Sequence, residues 1–130
     1  MLSISPGIRI YLASEPTDMR RGFNGLQGQV SGVLQQDPLS GHLFLFVNRR
    51  RDKLKVLYWD LDGLAIWYKR LESGTFQLPA LQPDQTHVEI RSDELLMLLR
   101  GIDLSSKRRK RYSLEDARSN QGASVLEPAQ

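Results

Sequence analysis

Three apolar segments of strand length follow one another closely: HLFLFVN at 42–48, KLKVLYW at 53–59 and LAIWYKRL at 64–71. The links between them are RRRD and DLDG. Links so short cannot start a parallel neighbour, which takes a crossover of roughly a dozen residues or more. The segments therefore read as successive hairpins, an antiparallel meander. Its apolar side chains need a second layer to cover them, and the rest of the chain must supply it.

Two helices are predicted to do so. IRIYLA (8–13) is strand-like, and SEPTD then breaks it, with Thr17 or Asp18 placed to cap a helix. Met19, Phe23, Leu26, Val30 and Val33, with Leu34 beside it, recur at helical spacing and predict one apolar stripe over about 18–36. Asp37-Pro38 stops it, because the residue before proline is pushed out of the helical region. Gly74 and Pro79 open an irregular stretch, and HVEI (87–90) reads as a further edge strand. Ser92 is placed to cap a second helix whose first turn carries Asp93 and Glu94, the sign that a helix N-terminus favours. Leu95, Leu96, Leu98 and Leu99 supply its core face, and Gly101 a C-terminal stop. The fold class is α+β: an antiparallel β-meander with an N-terminal helix and a C-terminal helix packed on the sheet. Residues 1–104 form a single domain. After Leu104 the apolar periodicity ends, and 105–130 read as a basic, disordered tail.

At 130 residues the chain is one domain in size. It has no cysteine, hence no disulfide framework and no thiolate metal site. No apolar run approaches the roughly 18 residues needed to span a bilayer, and MLSISPGIRIYLA lacks the basic and apolar regions of a secretory signal. A cytoplasmic protein, with no membrane partner, is the expectation. The net charge of +3 is unevenly placed. Residues 1–106 hold 12 basic and 12 acidic side chains, so the excess belongs to the tail, with Lys107, Arg108, Arg109, Lys110 and Arg111 in one run.

Within the neutral body, Arg49, Arg50, Arg51, Lys53 and Lys55 crowd into seven positions. So many like charges repel unless something anionic lies near. Lys53 and Lys55 are two apart and share one face of a strand. With a mobile arginine tip beside them they suit a phosphate backbone, arginine giving bidentate contacts. Arg20 and Arg21 join these, with the tail cluster, as candidate DNA contacts. The alternative is a solvated hairpin tip, or one that meets an acidic patch on a protein partner.

Other features point less far. Asp60-Leu61-Asp62-Gly63 offers two carboxylates, but this is hairpin-turn chemistry with a left-handed glycine, and His42 and His87 lie on separate strands. No metal site, cofactor or catalytic residue is expected. Tyr58, Trp59, Trp67 and Tyr68 read as core ahead of a platform for stacked bases. Gly25, Gly28 and Gly32 align with Arg21 opposite the apolar stripe of the first helix. They leave either a marginal helix or a flat face that another backbone can approach.

Four motifs in order, PTDMRRGFNGL, DPLSGHLFLF, NRRRDKLKVLYWDLDGLAIWYKRLESGTF and LLMLLRGID, resemble the small accessory proteins of the bacterial insertion-sequence family sixty-six. These are the products of that element's second open reading frame, sometimes called TnpB. The resemblance runs from about residue 8 to residue 104 and leaves the tail outside. It implies a role in transposition, a form of DNA recombination, beside a separate large transposase that does the strand chemistry. The transposase and the element's other small accessory protein are the implied protein partners, and no catalytic residues carry over. A nucleoid-associated, non-enzymatic DNA-binding accessory factor is thus expected. The alternative is a protein–protein adaptor in the transposition complex without direct DNA contact.

Overall fold

The computed structural model describes residues 4–100. The tail residues, Lys107 to Arg111 among them, and the stop expected at Gly101 lie outside them. The elements run β1 (Ile10–Ala13), α1 (Phe23–Gly32), β2 (Leu43–Val47), β3 (Lys53–Asp60), β4 (Gly63–Arg70), β5 (His87–Ile90) and α2 (Ser92–Leu99). They build one five-stranded sheet in the order β4-β3-β2-β1-β5. The meander is as expected: β2 pairs antiparallel with β3, and β3 with β4. β5 is an edge strand, antiparallel to β1.

One pairing departs from the wholly antiparallel sheet. β1 and β2 run parallel, Ile10 beside Leu43 and Leu12 beside Leu45. The segment joining them is long enough to hold α1, and that length lets the chain cross back and start β2 in the same direction. The class remains α+β, with a mostly antiparallel sheet.

All five residues of β2 are buried, as befits a strand covered on both sides. Alternation sorts them by face. Phe44 and Phe46 join Tyr11 and Leu57 under α1, which contributes Leu26 and Val30, with Leu34 just past its end. Leu43, Leu45 and Val47 join Ile10, Leu12, Leu54 and Val56 on the other side, against Leu95, Leu98 and Leu99 of α2 and the inserted Phe76. The two helices therefore cover opposite faces. Lys69 secures α2 by donating from Nζ to the Leu99 carbonyl (2.9 Å), a cation at the helix end where the dipole favours one. Burial pulls the Lys69 ammonium below its ordinary value.

The first helix is shorter than the stripe suggested, ten residues beginning at Phe23. Neither Thr17 nor Asp18 caps it; its N-cap is Gly22. The Thr17 hydroxyl oxygen accepts instead from Gln29 Nε2 (3.4 Å), and the Thr17 N–H, donating to the Val47 carbonyl (2.9 Å), holds this segment against the end of β2. Asp18 turns inward on its own loop, accepting from the Arg20 N–H (2.9 Å). With 18–21 folded as a turn, Phe23 becomes the first helical residue and is 50% exposed; Val33, the C-cap, is 49% exposed. The seam that is buried is Leu26, Val30, Leu34. Gln35, in the left-handed region at φ 54°, ends the helix before Pro38 is reached. At α2 the cap is Arg91 instead of Ser92, its N–H donating to Glu94 Oε1 (2.8 Å), and Leu96 faces outward.

Candidate nucleic-acid interface

Because β1 and β2 run parallel, their carboxyl ends lie at the same end of the sheet. The loop leaving β1 and the loop leaving β2 therefore meet there, and these two loops carry Arg20, Arg21, Arg49, Arg50 and Arg51.

The β2–β3 loop is organised by Asn48. Its Oδ1 accepts from the N–H groups of Asp52 and Lys53 (3.0 Å each), and its Nδ2 donates to Asp52 Oδ1 (2.7 Å). That bond, with the charges of Arg50 and Lys53, holds the Asp52 carboxyl below its usual range. Arg51 closes the turn with φ 61° and an N–H bond to the Asn48 carbonyl (3.0 Å). The tip is also strapped from both sides. Phe76 N–H reaches the Arg51 carbonyl (2.7 Å) and Leu71 N–H that of Asp52 (2.8 Å), while Thr17 holds Val47. Arg49, Arg50 and Arg51 are thus exposed side chains on a backbone tied by these bonds.

Lys53 and Lys55 do share a strand face, but their surroundings differ. Lys53 is partly exposed beside the arginines. Lys55 is only 8% exposed. Its ammonium donates to the carbonyls of Met19 and Arg21 (2.8 Å each) and lies 4.7 Å from the centre of the Tyr68 ring. Expected at the surface as a phosphate contact, it is instead a tie between the sheet and the loop that precedes α1. The reason is its place in β3, opposite Tyr68 in register and beneath the 18–22 turn.

Arg20 is committed as well. Its guanidinium takes both oxygens of Asp18, Nη2 at 2.6 Å from Oδ2, and draws the Asp18 carboxyl down to about 2. Arg20, Arg49, Arg50, Lys53, Asp18 and Tyr68 line one open cleft of about 630 Å³, floored by Pro16, Thr17, Met19 and Asn48. A smaller recess of about 210 Å³ lies on the other side of the tip, where Arg49 and Arg51 face Leu78 and Leu81. Arg21 is exposed at the edge of the loop.

The central aromatics are peripheral to the core. Tyr58 and Trp67 are half-buried on the α2 side, Trp59 is half-buried, and Tyr68 is 50% exposed. β4 is an edge strand among the described residues. Asp60 and Gly63 close a two-residue turn as expected, but the left-handed residue is Leu61 (φ 59°), not the glycine. No group of three or more His, Cys, Asp or Glu side chains is arranged to hold a metal ion among the described residues. Within them, no helix is long and apolar enough to cross a membrane. Gly28 and Gly32 face open space, whereas a Cβ on Gly25 would meet Arg21 Cβ at 3.1 Å.

The fold and its cationic end define a small α+β protein in which, among the described residues, Arg20, Arg21, Arg49, Arg50 and Arg51 lie on two neighbouring loops. The chain belongs to the IS66 Orf2-like protein family, whose model matches residues 8–109. That is the insertion-sequence family indicated by the four motifs, and membership supports an accessory role in transposition. The uncharacterized protein y4jC of Sinorhizobium fredii is 38% identical over 110 residues, covering 85% of this chain and 92% of that protein. The uncharacterized protein y4hO of the same organism is 38% identical over 103 residues, covering 79% and 88%. No solved structure matches the chain significantly.

Proposed function

We propose that this protein is a non-enzymatic accessory factor in transposition that contacts DNA phosphates through the cationic end of its sheet and docks the transposase with another surface. The observation that carries the reading is the convergence of Arg20, Arg49, Arg50 and Lys53 on one cleft, with Arg51 on the far side of the same loop. The bonds that tie the loop backbone bring these flexible cations to one end of the sheet, so the backbone itself need not be ordered on meeting a phosphate chain. Arg21 and the tail cluster from Lys107 to Arg111 add sequence-independent attraction.

The test is a titration of the full chain with element-end DNA and with scrambled DNA, over a range of salt. Changing Arg49, Arg50 and Arg51 together to Ser should weaken both equally. It should also flatten the salt dependence, by about 0.9 log unit per log unit of salt for each phosphate that is no longer neutralised. Folding should hardly change, because the backbone bonds of the loop remain and exposed charges contribute little. Unchanged affinity and slope would remove the phosphate reading. The second reading is an adaptor whose exposed Arg49, Arg50 and Arg51 meet an acidic patch on the transposase. On that reading the triple variant loses the transposase, and the unaltered chain alone binds DNA no better than the variant does.

A further inference from the structure

We infer that the cleft takes single-stranded DNA, one base stacking on Tyr68 while neighbouring phosphates lie on Arg49, Arg50 and Lys53. The inference rests on the proposed DNA contact and names the form of DNA that the site is built for.

Duplex DNA is read by an element that enters a groove, usually a helix and sometimes a two-stranded ribbon. Neither helix here suits that task. From residue 23 to residue 36 there is no lysine or arginine at all. The first turn of α2 carries Asp93 and Glu94, and its adjoining Arg91 is taken up by Asp93. The only cationic ribbon end among the described residues is the β2–β3 tip. That tip does not stand free, because Thr17, Leu71 and Phe76 bind its backbone from the flanking loops. A tip strapped on both sides cannot be inserted into a groove.

What the cations do border is a concavity. Its volume, about 630 Å³, is in the range of small-molecule sites and admits a nucleotide. In its wall stands an aromatic ring that the fold leaves half exposed, Tyr68. The ring is not loose. Its strand is paired to Lys55, whose ammonium sits over it at 4.7 Å and is itself pinned by two carbonyls. A fixed aromatic face among flexible cations is the arrangement by which single strands are held without sequence preference. Asp18 is the one carboxylate in the wall, and it is turned to Arg20, leaving Arg49, Arg50 and Lys53 for phosphate.

The experiment is fluorescence anisotropy of the full chain with a labelled oligothymidylate of about 16 nucleotides, long enough for one such site. A duplex and an oligouridylate of equal length form the other arms. The single DNA strand should bind more tightly than the duplex. Tyr68→Ala should weaken single-strand binding roughly tenfold or more and leave duplex binding alone, and Tyr68→Phe should behave as wild type. Photocrosslinking to an oligonucleotide carrying 5-iododeoxyuridine should mark Tyr68 in the unaltered protein, a readout independent of how the alanine variant folds. Equal or tighter binding of the duplex overturns the inference, as does single-strand affinity indifferent to Tyr68→Ala or a crosslink that maps elsewhere. Tighter binding of the oligouridylate overturns its assignment to DNA. In each case the phosphate reading stands if the triple arginine variant still binds less. Binding of no nucleic acid in any arm overturns both.

Discussion

Lys55→Met would remove an ammonium and keep the side chain's length and apolar stem. The two carbonyls that it serves, those of Met19 and Arg21, belong to the turn that leads into α1. A hydrogen bond to a charged group contributes about 1.5–3 kcal/mol, so the gross loss is about 3–6 kcal/mol. Two effects reduce it. Arg21 is exposed, so water can reach its carbonyl, and the variant no longer keeps an ammonium out of water. A net loss of about 2–3 kcal/mol remains, or roughly 8–24 °C in melting temperature for a domain of about 100 residues. Thermal and urea unfolding followed by circular dichroism would measure it. Lys53→Ala is the control: on the same strand face, Lys53 makes no side-chain hydrogen bond among the described residues, and its loss should stay within about 0.5 kcal/mol of wild type. If Lys55→Met and Lys53→Ala melt together, the tie between sheet and turn has no energetic weight and the reasoning fails.

Three further outcomes are expected. Leu61, 91% exposed and left-handed at φ 59°, should be replaced by Asn with a gain of about 1 kcal/mol, because Asn tolerates that conformation; a lower melting temperature would mean that the turn is not strained there. Gly28→Ala should stabilise by about 0.5–1 kcal/mol, since its Cβ meets open space, and Gly25→Ala should give less because Arg21 must move; equal gains in urea unfolding would contradict the contact. The Asp18 carboxyl should titrate by NMR near 2, and Arg20→Gln should return it towards the ordinary value of about 4. A depressed carboxyl contributes stability above its unfolded value and loses it as the pH falls through about 2. Since both partners are exposed the stability change is small, and an Asp18 titration indifferent to Arg20→Gln would exclude the pair.

The meander was legible because its short links leave one solution, and α2 because acidic and apolar residues agree on where it begins. The start of α1 was not legible. Thr17 is a good cap by type, but the bond from its N–H to Val47, 30 positions away, fixes it against the sheet ahead of the helix start at Gly22, and no local pattern reveals that partner. The parallel β1–β2 pair was hidden for the same reason: register between distant strands leaves no mark in either segment. In the site, the arginine cluster was visible as composition, and the bonds that tie its backbone were not, because Asn48 resembles any turn residue until Asp52 and Lys53 fold onto it. Lys55 misled for a physical reason. Alternation put it on the same face as Lys53, and only the turn above that face decides which of the two lysines is covered. The residue type of Tyr68 points to the core, since an aromatic on a strand is ordinarily buried, and its place on an edge strand depends on strand order.

The position of β1 also bears on the order in which the chain can assemble. The β2–β3–β4 hairpins need only contacts within residues 43–70, the local kind that form early. β1 is made first in the chain yet sits between β2 and β5, and its outer register pairs Ile10 with Ile90. During synthesis the first strand therefore has no complete seat until nearly the whole body has emerged. Until β5 arrives, the outer backbone edge of β1 stays open to any other strand, including one from a second nascent chain.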